Sequence, residues 1–137
     1  MEVIWNSDKN RLSAMVVVEI EGREIRIDVY RLRSLHKPEE WKPPTINWPA
    51  IGSQPIANTR LFVKGLEKAI EVAIRMSEPV HMYRVTVEQD GEVGTYDIAG
   101  VAKFEVREQI ERVGARVISI EEVPEARDSD ELRYHRG

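Results

Sequence analysis

The sequence has no cysteine, which excludes a thiol nucleophile, cysteine-ligated zinc, iron–sulfur clusters and any disulfide framework. It has no excess of positive charge. Against 24 Asp+Glu stand 20 Lys+Arg, a net charge of −4, which argues against a protein that coats nucleic acid by bulk charge. It has no long hydrophobic run either. The longest stretch without a charge, Pro43 to Thr59, is interrupted by Pro43, Pro44, Pro49 and Pro55 and cannot be a spanning helix. Met1 to Asn10 lack a basic start followed by an apolar run, so no secretory leader is expected. These absences point to a soluble, cytoplasmic protein with no membrane partner. Glutamine occurs only three times, while Glu, Arg, Val and Ile abound, a composition that suggests a thermophile.

What is present predicts an α+β domain over residues 1–123 and a charged tail over 124–137. A chain of 137 residues can bury roughly two-thirds of its unfolded surface without disulfides or a structural metal. Ser13 to Glu21 alternates Ala14, Val16, Val18 and Ile20 against Met15, Val17, Glu19 and Glu21, the period of a strand. Arg23 to Arg33 alternates Ile25, Ile27 and Val29 against Arg26, Asp28, Tyr30 and Leu32, and Glu21-Gly22 joins the two runs as a hairpin. Ser34 to Asn58 holds five of the seven prolines and two of the three tryptophans. It predicts an extended loop, with a short edge strand at Thr45 to Trp48. A helix is expected from Ile56 or Asn58 to Ser77, capped by Ser53 or Asn58 and ended by Pro79. A second hairpin, Val80 to Glu88 and Val93 to Ile98, turns at Asp90-Gly91. A helix from Lys103 to Val113, with Gly114 at its C′ position, and a strand from Ala115 to Glu121 complete the order ββ–loop–α–ββ–α–β. That order favours a largely antiparallel sheet with helices packed on one side.

Catalytic patterns are missing. His36, His81 and His135 have no ligand spacing, the glycines form no phosphate loop, and Gly52-Ser53-Gln54 is not a nucleophile elbow. Neither an enzymatic activity nor a cofactor is expected. A small enzyme drawing on Asp28, His81 or Asp97 would need a pocket around one of them.

Binding has better support from charge placement. Residues 1–64 hold ten Lys+Arg against eight Asp+Glu, whereas residues 65–137 hold ten against sixteen. Arg31, Arg33, His36 and Lys37 follow one another with no acid between, then lead into Trp41, Lys42 and Trp48. Cations that track phosphates and aromatic faces that stack on bases suit a single-stranded nucleic acid. Arg26, Tyr30 and Leu32, with Met15 and Val17 opposite them, could form an apolar floor with cationic edges. Each element also has a plainer role: Trp41 and Trp48 as a lid on the core, Tyr30 packed on the second hairpin, the basic run as a solvated loop. Gly52 and Ser53 offer amides and a hydroxyl to an anion, or simply cap a helix.

The hairpin, the segment Ile46-Asn47-Trp48-Pro49-Ala50-Ile51-Gly52-Ser53-Gln54-Pro55 and the apolar helix after it resemble the ThermoDBP group of archaeal single-stranded DNA-binding proteins over roughly residues 13–120. The resemblance implies an open cleft with an apolar floor and basic rims, binding single strands with little sequence preference. It makes Tyr30, Trp41 and Trp48 stacking residues, and Arg26, Arg31, Arg33, Lys37 and Lys42 phosphate contacts. Some members carry a C-terminal heptad helix for dimerisation; after Ile120 this chain has only Val123, Ala126 and Leu132 as aliphatic residues. The competing expectation is an assembly module, a homo-oligomer or subunit that buries the Trp/Pro-rich segment and the two-sided helix against a protein partner.

Overall fold

Branched residues at every second position build the first layer. In the computed structural model, which describes residues 1–47 and 59–124, β1 (Glu2–Trp5), β2 (Arg11–Ile20), β3 (Arg23–Leu32) and β4 (Thr45–Asn47) form one antiparallel sheet in that order. Val16 lies opposite Ile27 and Ala14 opposite Val29, so the expected apolar face is the buried one. Glu21 and Gly22 turn the hairpin with φ of 53° and 76°, the left-handed pair that matches strand twist. The sequence reading began at Ser13 and missed β1. Its four residues are too few for a period to register, yet Val3 and Trp5 pair with Val16 and Ala14 and pack on the same core.

The helix α1 (Thr59–Met76) covers that face, burying Ala69, Val72 and Met76 against the sheet. Gly65 permits the close approach, because a Cβ there would sit 2.7 Å from Val18 Cγ2. The end of the helix is as expected: the Ser77 amide and hydroxyl both donate to Ala73 O, at 3.1 and 3.0 Å.

The second layer consists of β5 (His81–Gln89), β6 (Glu92–Gly100), α2 (Lys103–Arg112) and β7 (Arg116–Val123), with strand order β6-β5-β7. Val106 and Ile110 of α2 pack on Tyr83, Val85 and Ile98. Here the glycine at the helix–sheet contact belongs to the strand: a Cβ on Gly100 would meet Val106 Cγ2 at 2.7 Å. Class and pairing are those expected, α+β and antiparallel throughout. The strands divide into two sheets, each carrying one helix.

Four polar links among the described residues join the layers, beside the packing of Met82 and Val101 on the first core. The Ala99 amide donates to Asp8 O at 3.0 Å, and Ala99 itself is part of the first core. Gln109 clasps the backbone of buried Ser7 from both sides, its Oε1 accepting from the Ser7 amide at 2.8 Å and its Nε2 donating to Ser7 O at 2.7 Å. Arg112 of α2 reaches Glu2 at 3.2 Å. Arg75 of α1 donates to Glu105 of α2, which is 5% exposed. The hydrogen bond and charge of Glu105, helped by Glu78 and opposed by burial, hold Arg75 above its usual value.

No helix among the described residues is long and apolar enough to cross a membrane. Trp48, Gly52, Ser53, the expected start of the long helix and the charged tail from residue 125 all lie outside the described residues.

Candidate nucleic-acid interface

The basic run of the sequence becomes a short tied loop between β3 and β4. Ser34 N–H donates to Glu40 O at 2.9 Å, Glu40 N–H to Lys37 O at 2.8 Å, and Lys42 N–H to Leu32 O at 2.8 Å. An isolated bridge pairs Arg33 with Trp41. Main-chain bonds therefore fix where each candidate side chain starts.

Two of the candidate arginines are engaged with the backbone. Arg31 donates to Lys42 O at 2.7 Å, Met76 O at 2.8 Å and Glu78 O at 3.2 Å. It thereby ties the loop to the C-terminal end of α1, where helix carbonyls lack partners. Burial lowers its pKa from the ordinary value, and the guanidinium keeps its charge at neutral pH. Arg33 donates to Pro38 O at 2.6 Å and Lys9 O at 3.3 Å. Both are staples of the fold as the chain stands. Lys37 lies 3.9 Å from Glu40 with both side chains in solvent, a pair worth little, and Lys42 is exposed.

The remaining candidates are on the other side of the first sheet. Arg26 and Tyr30 project from β3 away from α1, opposite Val17 and Ser13 of β2. Arg26 is paired with Glu24 at 2.6 Å, and the Arg11 guanidinium stacks 4.5 Å from the Tyr30 ring centroid. The packing of Tyr30 against the second hairpin that the sequence allowed is replaced by this cation–π pair. The structure thus separates the candidates into a loop group and a sheet-face group.

Two cavities accompany these groups. A groove of about 330 Å³ runs between the loop and the second sheet, bordered by Trp41, Arg33, Lys9, Arg84 and His81. Trp41 packs partly on the first core and also borders the groove, so it takes a share of both roles the sequence left open. Glu39 and Asp97 supply the acidic charge on the walls. Arg84 meets the Asp97 carboxylate at 3.0 and 3.2 Å, a hydrogen-bonded pair that raises the arginine pKa. Lys9 and Arg84 were not singled out from sequence. Arg84 sits opposite Asp97 in the hairpin register, and counting back from the Asp90-Gly91 turn would have found it. Lys9 carries no such signal.

His81 and Asp97 do share this groove. The Nδ1 of His81 is buried without a hydrogen-bond partner and lies 3.4 Å from Glu122 Oε2, a separation without hydrogen-bond geometry. The Asp97 carboxylate is occupied by Arg84, and Asp28 lies on the open face of the first sheet with the Arg26 group. No group of three or more His, Asp or Glu among the described residues could hold a metal ion.

The larger cavity, about 890 Å³, is a cleft between the open face of the first sheet and the β5–β6 hairpin. Ile4, Met15 and Arg26 line its floor, Tyr96 and Val93 its opposite wall, and Trp5 its inner end. No family model, curated protein or solved structure matches the chain.

Proposed function

We propose that the protein binds single-stranded nucleic acid in the groove beside Trp41. One observation carries the proposal: an indole, two guanidinium groups, an ammonium and an imidazole converge on one groove from three separate stretches of chain. Stacking on a single aromatic face contributes about 1–3 kcal/mol per base and tolerates any base. Lys9 and Arg84 then supply phosphate contacts, with exposed Lys42 and Lys37 extending the path along the loop. Arg31 and Arg33 support the loop that holds Trp41, and Arg26 and Tyr30 contribute to a strand that passes on across the sheet. The acidic residues of the second half limit binding to this local track. The volume is at the lower end of ligand-site sizes, roughly 300–1,000 Å³, and fits one or two nucleobases.

Quenching of tryptophan fluorescence by oligothymidylate and oligouridylate, read at two salt concentrations in a Trp5→Phe background, tests this. The expected result is binding that weakens steeply with salt, with a log–log slope of about −0.7 per phosphate contacted. Trp41→Ala, read by fluorescence anisotropy of labelled oligonucleotide, should weaken it by about 1–3 kcal/mol. Absent binding at low salt, or binding indifferent to salt, sinks the proposal.

A second reading, an assembly module, is favoured by the outer side of α1. Val63, Ile70 and Ile74 lie 48%, 49% and 66% exposed there, an apolar ridge of the kind that meets another chain. Light scattering tests it as a homo-oligomer: a dimer that dissociates in Ile70→Lys/Ile74→Lys supports assembly, and a monomer removes self-assembly through this ridge.

A further inference from the structure

β6 is the edge of its sheet, and the side of it that faces away from β5 can be identified residue by residue. In antiparallel pairing, the N–H and C=O of a residue point to the same neighbour, and successive residues alternate. The Ala99 amide turns away from β5 and donates to Asp8 O. Asp97, Thr95 and Val93 therefore turn theirs the same way. The turn agrees: Asp90 and Gly91, with φ of 54° and 82°, close a two-residue hairpin on the pair Gln89 and Glu92, which places the even-numbered residues of β6 in the ladder with β5. Beyond Asp8 no described strand continues along this edge. Among the described residues, three amides and three carbonyls at Val93, Thr95 and Asp97 have no partner, a row that templates strand addition.

This edge borders the 890 Å³ cleft. Val93 and Tyr96 are 62% and 58% exposed, and Ile4 and Met15 face them from the first sheet. A strand laid beside β6, at the usual spacing of about 4.8 Å, would send alternate side chains towards the apolar part of that cleft, formed by Ile4, Met15, Val93 and Tyr96. At the tip of the hairpin, Asp90 and Glu92 are exposed carboxylates with no ion pair among the described residues. We propose that the β6 edge captures an extended peptide by β-strand addition, a segment with aliphatic residues at alternate positions and a lysine or arginine beside Asp90 and Glu92. This surface is separate from the Trp41 groove, and the proposal does not depend on nucleic-acid binding. Main-chain bonds supply attraction and the cleft selects the side chains, the division of labour general to this mode of recognition.

The test uses the full chain and a short capped peptide of alternating valine and threonine with a lysine at each end. Followed by amide NMR, the peptide should raise hydrogen-exchange protection at Val93, Thr95 and Asp97 and leave Gly94 and Tyr96 unchanged. The same peptide N-methylated at alternate residues on the side facing β6 should bind more than ~tenfold more weakly, because several hydrogen bonds are removed at once. Thr95→Pro removes one outward amide and leaves the ladder to β5 intact, so it should weaken binding by about two- to tenfold with little change in melting temperature. If that variant does not fold, the N-methylated peptide still decides the matter. Asp90→Lys/Glu92→Lys should reverse the preference from the lysine-ended peptide to a glutamate-ended one. Absent binding, binding indifferent to N-methylation, or protection elsewhere overturns the proposal. So does self-association that Thr95→Pro abolishes, which would make the occupant a second copy of the chain.

Discussion

The two layers solve the same packing problem with unequal means. Among the described residues, the first core buries ten residues of its own layer together with Ala99 of β6, and the second core six. In the first, two long strands of ten residues each lie under an eighteen-residue helix. In the second, a ten-residue helix rests on three strands, with Phe104 and Val113 of its surroundings left in solvent. Each layer has one glycine at its helix–sheet contact, on the helix in the first and on a strand in the second. The difference teaches which layer holds the fold and which is free to vary around it. The first provides most of the hydrophobic stabilisation, which scales with apolar area removed from water, and the second presents the open edge, while Lys9, Arg33 and Glu39 of the first and Arg84 and Asp97 of the second share the groove's charge.

The largest expected effect comes from emptying the first core. Ile27→Ala, at a position with no exposure, should destabilise by about 2–5 kcal/mol in guanidinium unfolding. Ile110→Ala in the second core should fall at the low end of that range, since its site borders the large cleft and can relax. The four interlayer links predict one shared transition for both variants. Two transitions would show that the layers unfold separately. Next come the glycines. Gly65→Ala and Gly100→Ala should each cost about 1–3 kcal/mol by overpacking. The pairs Gly65→Ala/Val18→Ala and Gly100→Ala/Val106→Ala should each lose less than the sum of their single variants, since the clash in each is with one valine methyl.

The smallest effect at neutral pH is Tyr83→Phe in the second core. Burial pushes the Tyr83 phenol up, and the charges of Glu122 and then Glu105 add to it. The folded state therefore holds this proton more tightly than the unfolded one. That stability is complete below the ordinary tyrosine value of about 10 and is lost as pH rises through the higher folded value. Removal of the phenol should flatten the alkaline limb of a stability–pH curve and leave the neutral region nearly unchanged. An unaltered alkaline limb would assign that loss to other groups.

Period-two and period-3.6 patterns make both hairpins, the second helix and the C-terminal end of the first helix legible to within a few residues. The Glu21-Gly22 and Asp90-Gly91 turns were legible because their chemistry is local. The division into two sheets was not, since it depends on which strand edges meet, and no local pattern encodes that. The candidate site shows the same limit. Arg31 and Arg33 read as free cations in sequence because their acceptors are carbonyls of Met76, Glu78, Pro38 and Lys9, and a carbonyl carries no residue signature. Trp41, which borders the groove, stands out in the sequence because tryptophan is rare here. Lys9 was missed because nothing near it in sequence marks the groove it joins.

The clasp of Gln109 on Ser7 also bears on how the chain folds. Its partners are 102 residues apart, and the entropy of closing a loop rises with its length. Hairpins with two-residue turns form in microseconds, so the clasp is made after both of them. Until α2 is in place, the turn between β1 and β2 lacks its acceptor at Ser7. The turn that follows β1 is then among the last parts of the fold to be secured.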